Sequence, residues 1–541
     1  MKTMGSRVFR NLRLLDFAPL LVILGLSALI LADFWNGYMG EWDDDFYIRA
    51  ILGWMSEPPY VGSTHWELRH PYVLSLVASV SSFGMNETAL VLPSIASLYV
   101  LLCILYVALL RYVGVAAAVT AVTVLALSPL LNIYATVMRP GLPEAVLVVG
   151  SLAIFFAVVL GDLRAAWLTV SGALAAMAFL IRETAGALML FYFVLYLFGF
   201  GIRRSSYVYI ALGFVPLWLL EVVYLWLRTG DPVYRYVIDL AQYHPPRPES
   251  LLEPNFGDPE GTEWARRILN GEPQPNTPAL GAANIVDFGR YLNPIVALFV
   301  NHEYALVFFV SPFALLGLVV SADQDQRRRR AALLVAFFGL LWWAVVAYLL
   351  VGRPKPNYFM PLFVSATVVI ALYVEHLWQT RRRLRAAAVF LLLSTGGLFA
   401  MELHQYKPTY AGRVFAQLVQ EYREPIYTDS VTRDRARFFV EAAGLGEYVP
   451  QGPVKLGALL LVNDAEVDRI DPMLNQVGGR NAVVLEAVER VQRRDRLPGV
   501  VLRVTGLDSL VPPHILRKLT HPEEKLVLYR VKPRGNGVLS D

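Results

Sequence analysis

The sequence predicts a polytopic α-helical membrane protein of about eleven transmembrane helices, followed by a small C-terminal α/β domain outside the bilayer. Three observations predict it. Of 541 residues, 56% are hydrophobic and only 17% charged, a balance foreign to a water-soluble protein of this size. Apolar runs of roughly 20 residues, enough to cross a hydrocarbon core of about 30 Å, recur through the first three quarters of the chain. From about His404 onward the sequence turns mixed and charged, which divides the chain into a membrane domain over 1–403, with external loops at about 34–89 and 228–304, and a soluble domain over 404–541.

The apolar runs place spans at about Leu14 to Asp33, Leu90 to Leu110, Val113 to Val137, Pro143 to Leu160, Ala165 to Ile181, Thr184 to Gly201, Ser206 to Leu227, Ala305 to Val320, Ala331 to Val351, Tyr358 to Trp378 and Ala386 to Leu403. Cations mark the cytoplasmic side of membrane proteins. Lys2, Arg7, Arg10 and Arg13, then Arg111, Arg164, Arg203, Arg204, the run Arg327 to Arg330 and 381-RRRLR-385 all fall on one side under this span count. The expectation is a plasma or inner membrane protein with a cytoplasmic N-terminus and an extracytoplasmic C-terminal domain. The fourteen residues 71-PYVLSLVASVSSFG-84 are too short to cross and are read as a helix on the outer surface. Cys103, the single cysteine, excludes an intramolecular disulfide and a cysteine metal cluster. Basic runs are short and flank spans, so nucleic acid is not an expected partner, whereas membrane lipids are.

Four cations depart from the charge rule: Arg139, Arg182, Arg353 and Lys355 stand at outer span ends, with Glu144, Glu183 and Glu221 at similar depth. Ion pairs between helices, or snorkelling to head groups, would explain each cation singly. Several together suit a lipid-linked phosphate, because a guanidinium fork holds phosphate oxygens and an ammonium adds a point charge. Across from them in the reading stands 41-EWDDDFYIRAILGWM-55, whose Asp43, Asp44 and Asp45 follow the first span. An acidic helix N-terminus is the structural explanation of the three. The chemical one is general-base catalysis: an aspartate takes the proton of an attacking hydroxyl while cations neutralise the departing phosphate, with inversion at the sugar carbon.

The first span, the Asp-Asp pair with Tyr47 close behind, the segment 65-HWELRHPYVLSL-76 and 84-GMNETALVLPSIAS-97 entering the next span together resemble the GT-C membrane glycosyltransferases, in particular the protein O-mannosyltransferase and lipid A aminoarabinose transferase group. Within that pattern 91-VLPS-94 carries Val91 where the family often has Arg, and 353-RPKPNYFMP-361 matches a basic-Tyr-Pro segment through Tyr358 and Pro361. An Asp replaces the family's Glu in the acidic pair. The resemblance implies a GT-C-like fold, a polyprenyl-phosphate-linked sugar donor, transfer outside the cytoplasm to a glycan, lipid or protein acceptor, and a first-loop aspartate as base. Asp44 belongs to either choice of pair and is the first candidate, with Asp43 and Asp45 beside it. Arg139, Arg182, Arg353 and Lys355 are the candidate phosphate ligands; Tyr47, Glu67, Arg69, His70, Glu144, Glu183 and Tyr358 are the candidate positioning residues.

No cofactor is called for. A divalent cation at 65-HWELRH-70 is the alternative use of those side chains, although their spacing fits no zinc signature. The proline-rich stretches 244-HPPRPES-250 and 272-EPQPNTPALG-281 suit a covering loop. In the C-terminal domain strands are expected at 425–429, 458–463, 500–506 and 525–533, and helices at 433–445 and near 483–492. Competing functions are a polymer ligase or polymerase acting on lipid-diphosphate glycans, a secondary transporter, and a non-catalytic anchor for the external domain. The transporter reading lacks midplane charge and paired broken helices.

Overall fold

A computed structural model describes residues 14–241, 288–321, 326–350, 355–403, 410–463, 482–492, 502–512 and 525–534, with Leu474, Val477 and Gly479. Lys2, Arg7, Arg10, Arg13, Arg353 and both proline-rich stretches of the long loop lie outside the described residues. The chain forms two compact units. One contains the described parts of 1–35, 57–245 and 257–405; the other joins Asn36–Ser56 to the C-terminal segment.

In chain order the helices are α1 (Ala18–Asp33), α2 (Trp42–Ser56), α3 (His70–Phe83), α4 (Glu87–Tyr112), α5 (Val115–Ala126), α6 (Pro129–Ala135), α7 (Gly141–Val159), α8 (Leu168–Ile181), α9 (Gly186–Phe198), α10 (Val208–Thr229), α11 (Tyr234–Ala241), α12 (Phe288–Val300), α13 (Val307–Val320), α14 (Gln326–Ala344), α15 (Met360–Gln379), α16 (Arg383–Leu403), α17 (Tyr410–Tyr422) and α18 (Ser430–Ala442). Among the described residues seven helices are individually long and apolar enough to cross a membrane. One bent pair and three shorter apolar helices account for the other four predicted spans. The protein is therefore a polytopic helical membrane protein.

The bend of 60° between α5 and α6 has a local cause. Pro129 removes an amide donor at the first position of α6. The Asn132 side-chain amide bridges the break, donating to the Ala126 and Ser128 carbonyls at 2.8 and 2.7 Å. α8 and α10 pack closely because glycine lies at their crossing: a Cβ on Gly213 would strike the Thr169 carbonyl, and one on Gly172 the Ile210 carbonyl. α15 is the central helix of the bundle, buried along most of its length. Its Glu375 accepts the Ala117 amide at 3.1 Å, satisfying one of the donors at the start of α5.

The segment 70–83 is a fourteen-residue helix, as its length required. The long loop, read from its prolines as covering chain, is helical at both described ends, α11 and α12.

In the second unit a four-stranded mixed sheet is formed by β1 (Ile426–Tyr427), β2 (Leu459–Asn463), β3 (Val483–Gln492) and β4 (Lys525–Pro533) in the order β1-β2-β4-β3. β1 and β2 are parallel; β4 is antiparallel to both β2 and β3. The alternation of β2 sends Leu459 and Leu461 into a core with α17 and α18, and Leu460 and Val462 into a second core with Val483 and Val531.

Two expectations are corrected here. Residues 483–492 form a strand, since pairing with β4 overrides the helix propensity of their Glu, Ala and Arg, with a bulge between Ala487 and Glu489. The described part of 500–506 is helical at 502–505, and Val504, 83% exposed, has no face to bury in a ladder.

Candidate active site

The first unit buries ionised side chains at one set of helix ends. α7 starts at Gly141, so Arg139 stands two residues before it and Glu144 lies in its first turn. α8 ends at Ile181, leaving Arg182 extended at its C-cap and Glu183 opening the short turn that leads into α9. α7 and α8 pack together, and Arg182 pairs with Glu144 at 3.4 Å while the Thr184 hydroxyl donates to the same carboxylate. The Arg182 guanidinium lies 4.2 Å from the centre of the Tyr358 ring, a cation–π contact. Its Nε–H is buried and finds no acceptor among the described residues.

A second group adjoins it. Arg235 of α11, 4% exposed, reaches Glu183 at 2.6 and 2.7 Å, Glu221 of α10 at 3.0 Å and the Leu68 carbonyl at 2.9 Å. Glu221 also meets His70 Nδ1 at 2.6 Å. Arg69 is near enough to act electrostatically on Glu144, Glu183 and Asp239. Burial, then the charge of Glu183, push the Asp239 carboxyl up to about 6, against the pull of Arg69 and Arg235.

Arg182, Glu144, Glu183, Arg69, His70 and Tyr358 are thus gathered in one network. Arg139 is buried at the start of α7, its backbone carbonyl held by Ser94. Lys355 is exposed one residue before the turn that carries Tyr358.

Glu67 serves its own loop. Its carboxylate accepts from Tyr60, from the Ser63 and Thr64 amides and from the Thr64 hydroxyl, each at 2.9 Å. His65 stacks on Trp66 at 3.7 Å, so His65, Glu67 and His70 point to three different tasks. Among the described residues no group of three His, Cys, Asp or Glu side chains is placed to hold a metal ion.

The acidic triplet belongs to the second unit, in the first turn of α2. Asp44 and Asp45 are buried, and so is Tyr47. Asp44 accepts the Met39 amide at 2.9 Å, and Asp45 accepts the Tyr38 hydroxyl at 3.0 Å. Arg437 of α18 stands 3.7 Å from the other Asp45 oxygen.

Arg235, Asp239, Thr184, Tyr38 and Arg437 were absent from the candidates read from sequence. The spacing of Tyr234, Val237 and Ile238 marks an amphipathic turn with Arg235 and Asp239 one turn apart, a signal overshadowed by the prolines that follow. Nothing local in the sequence pointed to Arg437.

The first unit is thus a bundle of apolar helices with ionised groups buried at helix ends. Residues 68–226 match the family model described as Dolichyl-phosphate-mannose-protein mannosyltransferase, so the chain is related to glycosyltransferases through the stretch that holds Arg69, His70, Arg139, Glu144, Arg182, Glu183 and Glu221. A search of the curated proteins finds no match. Among solved structures the chain is similar to ArnT from Cupriavidus metallidurans in the apo state, at 11% identity and a TM-score of 0.47, covering 94% of this chain and 97% of that one. It is also similar to the archaeal oligosaccharyltransferase AglB from Archaeoglobus fulgidus in complex with an inhibitory peptide and a dolichol-phosphate, at 14% identity and a TM-score of 0.47. That likeness covers 79% of this chain and 64% of AglB, slightly under two thirds of its length.

Proposed function

We propose that the protein is an inverting glycosyltransferase that moves a sugar from a polyprenyl-phosphate donor to an acceptor hydroxyl on the extracytoplasmic face of the membrane. The observation that carries the proposal is Arg182. It is a buried guanidinium set against Tyr358 and Glu144, it keeps one N–H without an acceptor among the described residues, and it lies inside the stretch matched to a family described by its lipid-phosphate sugar donor. A buried donor of this kind calls for a ligand oxygen, and phosphate suits a guanidinium fork.

In the proposed reaction the acceptor oxygen attacks the anomeric carbon as its proton passes to Asp44. The bond from that carbon to the phosphate oxygen breaks, and its electron pair leaves on the polyprenyl phosphate. Arg139, Arg182, Arg353 and Lys355, joined by Arg69, are assigned to the developing phosphate charge. Asp45 and Asp43 flank the base. Glu144, Glu183, His70, Tyr47 and Tyr358 are assigned to positioning, while Glu67 would act through the fold of its loop. The orientation rests on the cation rule, which places these groups and the C-terminal unit outside the cytoplasm.

The test is donor discrimination by the purified protein in proteoliposomes, offered a panel of polyprenyl-monophosphate hexoses and pentoses and the corresponding diphosphate-linked sugars. Release of polyprenyl monophosphate from a monophosphate donor is expected. Turnover of diphosphate-linked donors alone would replace the proposal with the polymer-ligase reading.

A further inference from the structure

The acidic helix α2 is fixed by the C-terminal unit at several separate points. Gly40, just before it, has φ +68° and lies so close to α18 that a Cβ there would strike the Asp434 carbonyl. The ring of Tyr38 packs on Phe438 and Phe439, with centroids at 5.4 and 6.3 Å. Its hydroxyl donates to Asp45, whose second oxygen faces Arg437. Arg437 is in turn oriented by Glu441, which accepts its Nε–H at 2.8 Å. Arg413 of α17 donates to the Asn36 carbonyl at 2.9 Å. Burial, with Asp45 and Asp44 beside it, pushes the Tyr38 phenol well up against the pull of Arg437, so the hydroxyl keeps its proton and remains a donor.

Asp45 thus accepts the Tyr38 hydroxyl on one oxygen and has the Arg437 cation 3.7 Å from the other. Its neighbour Asp44 is tied by one carboxylate oxygen to the Met39 amide. Two adjacent carboxylates in one helical turn repel each other, and a cation on one of them lowers the cost of keeping both ionised.

We infer that Arg437 and Tyr38 are positioning residues for the transfer reaction: they hold Asp45, and through it the first turn of α2, so that Asp44 is presented as the base. This rests on the proposed role of Asp44 and gives the C-terminal unit a task in that reaction. The C-terminal segment is then a brace for the catalytic loop.

The test uses the full chain in detergent micelles, comparing Arg437→Gln, Arg437→Lys, Tyr38→Phe and Asp44→Asn with wild type. Two quantities are measured: hydrogen exchange of the amides from Met39 to Tyr47, and kcat and KM on the panel of polyprenyl-monophosphate sugars. Arg437→Gln and Tyr38→Phe should speed exchange over that stretch and lower kcat by about 10- to 100-fold, the cost of a small misplacement of a reacting group. KM should change little, and Arg437→Lys should recover part of kcat by restoring the charge. A destabilised C-terminal unit alone would speed exchange throughout that unit without this kcat-against-KM pattern. Wild-type exchange and kcat in Arg437→Gln and Tyr38→Phe, with Asp44→Asn inactive, would overturn the brace and leave the proposed function standing. Full activity of Asp44→Asn would overturn both. If Arg437→Gln fails to fold, Tyr38→Phe decides, since it removes only the hydroxyl that donates to Asp45; wild-type kcat and exchange in that variant refute the inference.

Discussion

Replacing Arg235 with Met should free α11 from the bundle. The guanidinium touches Glu183 at 2.6 Å and Glu221 at 3.0 Å, contacts worth about 5 to 6 kcal/mol each before desolvation at an effective dielectric of about 20. Most of that is cancelled by the cost of burying the charges. Truncating one partner of a buried pair nevertheless costs about 3–5 kcal/mol, because the remaining charge is left uncompensated. Here two carboxylates and the Leu68 carbonyl lose their donor together. A loss of that size raises the open population of α11 by more than about 100-fold. Native-state hydrogen exchange across Tyr234–Ala241 reads this directly in the purified protein. The triple variant Arg235→Met, Glu183→Gln, Glu221→Gln should recover most of the loss, because no charge is then stranded. A single variant within about 1 kcal/mol of wild type, or a triple variant no better than the single, would refute the reasoning.

Glu67→Ala leaves the Ser63 and Thr64 amides without their acceptor, so exchange over residues 60–68 should rise, corresponding to a loss of about 2–4 kcal/mol. Gly213→Leu should force α8 and α10 apart and lower thermal stability sharply, whereas Gly25→Leu, where a Cβ meets nothing within 4 Å, should not. Asp239 has its pKa raised in the fold to about 6, so the folded protein binds more protons than the unfolded chain between about pH 4 and 6. Its contribution to stability is full below the unfolded value and is lost as pH rises through the folded one, by at most about 3 kcal/mol. Asp239→Asn should flatten unfolding curves over that window, and an unchanged pH dependence would contradict the assignment.

Much of the fold was legible because a bilayer imposes length. Each apolar run corresponds to a helix or a broken pair, including Val113 to Val137, read as one span and bent by 60° at Pro129. The fourteen residues after His70 could be excluded as a span for the same reason. The C-terminal unit was harder, since β3 is a strand only by virtue of its partner β4, and 483-VVLEAVERVQ-492 carries helix-forming residues. For the candidate site, charge at span ends singled out Arg139, Glu144, Arg182 and Glu183 without reference to neighbours. Arg235 was hidden in a segment judged by its prolines. Arg437 was hidden by distance, because an ion pair between α2 and α18 leaves no local pattern in either helix.

The most direct test is single-turnover transfer from a labelled polyprenyl-monophosphate sugar by Asp44→Asn, with its folding verified by hydrogen exchange of the bundle. Removing a general base should slow the chemical step by about 10²- to 10⁴-fold while donor binding persists. A rate within tenfold of wild type would show that the proton leaves by another route, and the assignment of the acidic helix to catalysis would fall.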